Sequence, residues 1–280
     1  MVASGNDFVV LEFLSSRVLE LKKLALKVCD RKYGIGADGL LVLGKSKVAD
    51  VKMRIFNADG SEAEMCGNGA RCVALWLADN RKPKTENLTI ETKAGIIRAQ
   101  VKAGSVKIRL TDPKDIKLDL PIRVNNRALK VNFVDTGVPH TVIFASGLEK
   151  IDVFNLGRLI RYHKKFAPRG TNVDFVEIAS KNTINIRTYE RGVEDETLAC
   201  GTGSVASALI FALKAEVANK VYVRTKSKEV LSVYFKRMGK KFSDVWLEGK
   251  AGIVFKGELL NCPSRKRLSI SSKLTAHARG

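Results

Sequence analysis

The chain has 280 residues, 45% of them hydrophobic and 28% charged, a usage that excludes collagen-like and disordered classes. No apolar run approaches the roughly 20 residues needed to cross a bilayer, and residues 1–8 have neither the basic start nor the long apolar stretch of an export signal. The net charge of +20, from 49 Lys and Arg against 29 Asp and Glu, suits a nucleic-acid binder in size. The basic residues are scattered, however, with no aromatic-interleaved stripe, so nucleic acid is not the expected partner. Five cysteines (Cys29, Cys66, Cys72, Cys200, Cys262) form no CxxC pair and only three histidines accompany them, which leaves no disulfide scaffold and no metal site to predict. A soluble protein of a reducing, cytoplasmic compartment is expected.

In chain order, Gly5-Asn6-Asp7-Phe8-Val9-Val10 opens an apolar strand. Gly34-Ile35-Gly36-Ala37-Asp38-Gly39 matches GxGxxG, but a dinucleotide site needs a strand before it and a helix after it. Here polar residues 30–33 precede and strand-like residues 40–43 follow, so the glycines read as a tight turn. Residues 51–56 alternate like a half-buried strand and lead through a polar turn to Cys66-Gly67-Asn68-Gly69, then to a helix near 70–78 of small and apolar residues. A β-like run around Glu91-Thr92-Lys93 follows, and Thr111-Asp112-Pro113-Lys114-Asp115 breaks the strand pattern.

The series then begins again. Gly137-Val138-Pro139-His140 opens a strand as Gly5-Asn6-Asp7-Phe8 does, and Gly170-Thr171-Asn172 answers Gly36-Ala37-Asp38. Residues 184–189 alternate, Cys200-Gly201-Thr202-Gly203 repeats the cysteine element, a helix near 204–214 follows it, and Thr225 answers Thr92. The intervals between partners are nearly equal, and four pairs in one register predict two homologous halves. The expected fold is α+β: two pseudo-symmetric lobes, 1–112 and 113–252, each an antiparallel or mixed sheet wrapped around a central buried helix, with a cleft between them. Residues 261–280, with five basic residues and no acid, are expected to form a disordered tail.

A cysteine before Gly-x-Gly at a helix start meets free backbone N–H groups and the positive end of the helix dipole. Lowering a thiol pKa by two units takes about 2.7 kcal/mol, whereas the dipole supplies about 0.3–1 and at most around 2. Direct N–H donors or a neighbouring cation must contribute to any fully formed thiolate. Two such cysteines across one cleft could remove a proton from one face of a carbon and deliver one to the other. That inverts a stereocentre with no cofactor, and the same N–H groups could hold the adjacent carboxylate as negative charge develops.

Residues 57–71, Asn-Ala-Asp-Gly-Ser-Glu-Ala-Glu-Met-Cys-Gly-Asn-Gly-Ala-Arg, resemble the first cysteine signature of the diaminopimelate epimerase family, and residues 190–203 resemble its second. Gly5-Asn6-Asp7-Phe8, residues 33–38 and Pro139-His140 fall in the family's order, so the resemblance spans residues 1 to about 260. It implies a two-base, PLP-independent isomerase that interconverts LL- and meso-diaminopimelate for lysine and peptidoglycan, needs no cofactor or metal, and is a cytoplasmic homodimer. It implies that Cys66 and Cys200 are the acid/base pair and that His140 and Glu190 tune them. Substrate contacts fall to Asn6, Asn57, Gly67, Asn68, Asn172, Glu190, Arg191, Gly201 and Thr202, with Arg191 suited to a carboxylate and Glu190 to an ammonium. A cation near one sulfur and a carboxylate near the other would leave one thiolate and one thiol at rest. The resemblance also implies a last strand, near 253–260, that returns to the first lobe. Val138 replaces an Asn common in the family and Gly39 a Gln found in some members, which admits a racemase of another amino acid as the alternative.

Overall fold

The computed structural model describes residues 1–12, 18–81 and 87–259; the expected tail at 261–280 lies outside the described residues. The first half contains β1 (Val2–Ala3), β2 (Asn6–Glu12), α1 (Val18–Cys29), β3 (Gly39–Gly44), β4 (Val51–Asn57), β5 (Glu62–Ala63), α2 (Gly67–Arg81), β6 (Asn87–Thr92), β7 (Gly95–Lys102) and β8 (Ser105–Arg109). The second begins with the hairpin β9 (Lys114–Val124) and β10 (Arg127–Asp135). It continues with β11 (Pro139–Phe144), α3 (Val153–Arg161), β12 (Asn172–Ser180), β13 (Thr183–Glu190), β14 (Asp195–Thr197), α4 (Gly201–Lys214), β15 (Lys220–Arg224), β16 (Val230–Met238) and β17 (Lys241–Lys250).

The strand pairing repeats. β2 runs parallel to β3, β3 antiparallel to β4, β4 parallel to β6, and β6, β7 and β8 follow antiparallel. β11, β12, β13, β15, β16 and β17 reproduce that sequence of senses. The parallel pairs need a crossover, supplied by α1 and α2 in one half and by α3 and α4 in the other. β17 then pairs antiparallel with β8, with Trp246 opposite Arg109, so the two halves share one continuous sheet.

This sheet curls around α2 and α4, which pack against each other. α4 buries Gly203 through Ala212 and α2 buries Asn68 through Ala74, as helices small or apolar on most faces must. Their side chains join strand residues such as Leu41, Ile55, Val176 and Ile186 in one core. Smaller clusters lie under α1 (Leu21, Leu24, Val28) and α3 (Val153, Ile160). The GxGxxG segment joins α1 to β3, helix before strand, and Gly36 takes a left-handed φ of 82° there.

Two expectations change. The return to the first half is a single bridge, Val2 to Gly252, with N···O distances of 2.9 Å both ways, and residues 253–259 form no strand. β1 presents only Val2 and Ala3, so the register offers one bridging pair. An aromatic and basic surface does exist, assembled by pairing rather than by sequence: the Lys107 ammonium lies 4.1 Å from the Tyr234 ring and 5.2 Å from Trp246, and Lys220 lies 4.3 Å from Tyr222 and 4.7 Å from Tyr234. Glu248 hydrogen-bonds the Tyr234 hydroxyl, which places a carboxylate beside those cations. Among the described residues no helix is long and apolar enough to cross a membrane, and no cluster suited to a metal ion occurs.

Candidate active site

Cys66 and Cys200 stand at the starts of α2 and α4. Cys200 caps its helix, with φ −114° and ψ 116°, and its Sγ accepts from the Gly203 N–H at 3.4 Å; Cys66 Sγ accepts from the Gly69 N–H at the same distance. The first main-chain helical bonds run from Ala70 to the Cys66 carbonyl and from Ser204 to the Cys200 carbonyl. The N–H groups of Gly67 and Asn68, and of Gly201 and Thr202, therefore precede the helical ladder at each start, where an anion is best received. Both cysteines are free thiols.

Burial pushes both thiols up from the ordinary range. At Cys66 the N–H groups of Gly69 and Asn68 and the charge of Arg71 pull the other way, while Glu190 adds to the rise. At Cys200 Glu190 and Asp174 both reinforce burial against the Thr202 hydroxyl and Gly203 N–H. The charge of Glu190, at the end of β13, bears on both sulfurs, that of Arg71 on Cys66 and that of Asp174 on Cys200. Burial raises the Glu190 carboxyl as well.

His140, in β11, is fully buried and reaches Cys200 through a hydroxyl. Its Nδ1 lies 2.7 Å from Asp174 Oδ2, its Nε2 lies 3.0 Å from Thr202 Oγ1, and Thr202 Oγ1 lies 3.4 Å from Cys200 Sγ. A carboxylate only accepts, so Nδ1 carries the proton that faces Asp174. Thr188 donates to the other Asp174 oxygen at 2.8 Å. Asn172 donates to the Pro139 carbonyl at 3.0 Å and accepts the Arg191 N–H at 2.8 Å. The Arg191 guanidinium donates to the Arg169 carbonyl, and burial followed by repulsion from Arg161 and Arg169 lowers its pKa. Arg161 pairs with Glu194 at 3.1 Å and Arg169 with Asp135 at 3.6 Å, so two of these guanidinium groups already face carboxylates.

On the Cys66 side, Asn68 donates to Asn6 Oδ1 at 2.5 Å and Asn6 donates to Asp38 at 3.1 Å. Asn57 is exposed and donates to Ser61 in its own turn at 2.9 Å. Two residues escaped the sequence reading. Asp174 is a fully buried carboxylate among the apolar residues Val173, Phe175 and Val176 of β12, and its counterpart in the repeat is Leu40; that contrast was the available signal. Arg71 is fully buried in α2, where its Nη2 donates to Ser4 Oγ and to Asn68 Oδ1 at 2.6 Å, while its Nε and Nη1 have no hydrogen-bond partner among the described residues. An arginine in the first turns of a helix, among small and apolar residues, was the signal there. A cavity of about 250 Å³ under α1, lined by Val28, Tyr33, Ile35 and Leu259 among others, contains none of these groups.

The family model described as diaminopimelate epimerase matches residues 1–114 and 132–252. A protein named diaminopimelate epimerase from Caldanaerobacter subterraneus is 40% identical over 91% of this chain and 96% of its own length. One of the same name from Aquifex aeolicus is 43% identical over 91% of this chain and 95% of its own. Among solved structures, a PhzF-family phenazine biosynthesis protein from Bacillus anthracis superposes with a TM-score of 0.69 at 20% identity, over 89% of this chain and 92% of that one. A hydroxyproline epimerase from Agrobacterium vitis follows at 0.67 and 14% identity, over 89% and 87%. The distant structures share the fold; the sequence match over most of its length shows that this chain belongs to the diaminopimelate epimerase family.

Proposed function

We propose that the protein is an isomerase that interconverts LL- and meso-diaminopimelate by a two-base proton transfer with no cofactor. The observation that carries this is the identity of about 40%, over nine-tenths of the chain, with proteins named for that activity. Cys66 and Cys200 would be the bases, with substrate held between halves 1–112 and 113–252. The deprotonated sulfur takes the α-hydrogen and leaves a planar, enolate-like carbanion; the opposite S–H delivers its proton to the other face. Each turnover ends with thiol and thiolate exchanged. The open N–H groups of Gly67, Asn68, Gly201 and Thr202 would bind the carboxylate on the reacting carbon and stabilise the charge that grows there. Glu190, Asn6, Asn57 and Asn172 would read the ammonium and neighbouring groups.

Arg191, whose fork geometry suits a carboxylate, supports a second carboxylate on the substrate, and with it diaminopimelate over single-carboxylate amino acids. Val138 and Gly39 favour the competing racemase reading, because each removes an amide from the expected pocket. Both thiols start in the raised range, so the reacting thiolate would form most readily once substrate has brought its ammonium to Glu190 and offset that carboxylate. A cytoplasmic homodimer completes the proposal, with sedimentation at twice the 30.8 kDa chain mass as its test.

The decisive experiment incubates LL-diaminopimelate and a panel of single-carboxylate amino acids with the protein in deuterium oxide. Deuterium should enter the α-carbon of diaminopimelate alone as the meso form appears. Cys66→Ala and Cys200→Ala should each lower turnover by at least about a thousandfold with the fold intact, in line with the loss of an essential acid or base. Near-parental turnover by either variant would remove the two-base assignment, and exchange into another amino acid would replace the substrate.

A further inference from the structure

The repeat sets a chain of hydrogen bonds at the start of each central helix. The interval that carries Cys66 onto Cys200 also carries Asn68 onto Thr202, and Asn6 and His140 both lie at the start of the strand that opens the repeated series in their half, β2 and β11. In the first half Asn68 donates to Asn6; in the second Thr202 bonds His140. The geometry is shared and the chemistry is not. The first chain runs through two amides, Asn68 and Asn6, to the Asp38 carboxylate, and amides hold hydrogen bonds but neither gain nor lose a proton in the working range. The second runs from a thiol through a hydroxyl to an imidazole backed by a buried carboxylate, and Leu40 stands where that carboxylate would be in the first half.

We infer that the Thr202 hydroxyl is a positioning and relay residue that moves a proton between Cys200 and His140, an outlet that Cys66 lacks. The inference rests on reading Cys200 as one of the two bases. With His140 neutral, Nδ1–H donates to Asp174, Nε2 accepts from the Thr202 O–H, and the Thr202 oxygen accepts from the Cys200 S–H. When the thiol proton passes to the Thr202 oxygen, the hydroxyl proton passes to Nε2. The result is a thiolate accepting from the Thr202 O–H and an imidazolium donating from Nε2, with no proton gained or lost overall. The step reverses by the same path. Since each turnover exchanges thiol and thiolate, a site of this kind must reset, and this chain gives Cys200 a place to leave or collect a proton while the cleft is closed. The charged groups that bear on Cys200 are Glu190 and Asp174, and among the described residues a continuous set of hydrogen bonds joins the sulfur to His140, with Asp174 behind it.

Thr202→Val keeps the shape and the backbone N–H but removes the hydroxyl; Thr202→Ser restores it. In a Cys66→Ala background, iodoacetamide alkylation of Cys200, located by peptide mass spectrometry and followed against pH, reads the sulfur without relying on turnover. Thr202→Val should move the midpoint up by about one pH unit, equal to a tenfold loss at fixed pH below it, and Thr202→Ser should return it. In the same background His140→Gln should shift the midpoint with the hydroxyl present and add nothing once Thr202 is Val, because the two act through one chain. With both cysteines present, Thr202→Val should lower kcat by at least about tenfold in both directions. An unmoved midpoint in a folded Thr202→Val protein, or additive effects of the two substitutions, would overturn the relay. Cys200→Ala that still epimerises would instead overturn the catalytic reading and leave the alkylation result standing.

Discussion

Glu190 acts on both sulfurs, and its two effects have opposite signs for binding and for reactivity. Its carboxylate, enclosed with the thiols, disfavours a thiolate at either one. Replacing it with Gln removes that charge, so both thiol pKa values should fall toward the ordinary value near 8.5. Glu190→Gln should therefore speed alkylation of Cys66 and Cys200 several-fold at pH 7.5 while slowing epimerisation by at least about tenfold, because the substrate ammonium loses its partner. Mass-spectrometric alkylation rates set beside steady-state kinetics check both halves, and slower alkylation in the variant would contradict this placement of Glu190. The cysteines were legible because each sits in a run of glycines repeated at a fixed interval. The hydroxyl link was hidden because Thr202, His140 and Asp174 come from α4, β11 and β12, and only the parallel register of His140 opposite Asn172 brings them together.

At the level of elements, the readable segments were those with strong local signals. β4 and β13 alternate, and α2 and α4 follow Cys-Gly-x-Gly. The sequence reading omitted α1 and α3, although Leu21, Leu24, Ala25 and Val28 recur at helical spacing, and so do Val153, Gly157 and Ile160 behind the Asp152 cap. α3 matters for the site because it braces β13. Gly157 faces Tyr189, the residue before Glu190, and a Cβ added there would lie 2.5 Å from Tyr189 Cβ. Gly157→Ala has good helix propensity, yet overpacking of about 1–3 kcal/mol should outweigh that gain. The variant should melt several degrees lower by calorimetry and bind substrate more weakly as Glu190 shifts. A Tm at or above the parental value would show that α3 and β13 do not pack as described.

Across the whole molecule the repeat extends to ion pairs that the sequence comparison passed over. Arg54, Glu62 and Lys93 meet in the first half; Arg187, Glu196 and Lys226 meet at the corresponding positions of the second. Arg54 Nε lies 2.8 Å from Glu62 and Arg187 Nε lies 2.6 Å from Glu196, and both carboxylates are close to nine-tenths buried. Each triad ties the strand before a cysteine loop (β4 or β13) to the short strand after the turn (β5 or β14), which fixes the loop that delivers the thiol. Arg54 holds Glu62 below the usual carboxylate range; at Glu196 burial works upward, but Arg187 and Lys226 prevail and leave it lowered. A carboxylate depressed in the folded state contributes stability above its unfolded value of about 4.3, and that contribution is lost as pH falls through the lower folded value. Glu62→Gln and Glu196→Gln should each cost roughly 1–2 kcal/mol at pH 7. With no shared partner across the halves, the double variant should lose close to the sum. The gap between parent and double variant in urea unfolding should narrow steadily below pH 4, where the parent's own carboxylates become protonated. A gap that stays constant from pH 7 to pH 3 would mean the triads act by packing alone, and the charge of Glu62 and Glu196 would then have no part in holding the two cysteine loops.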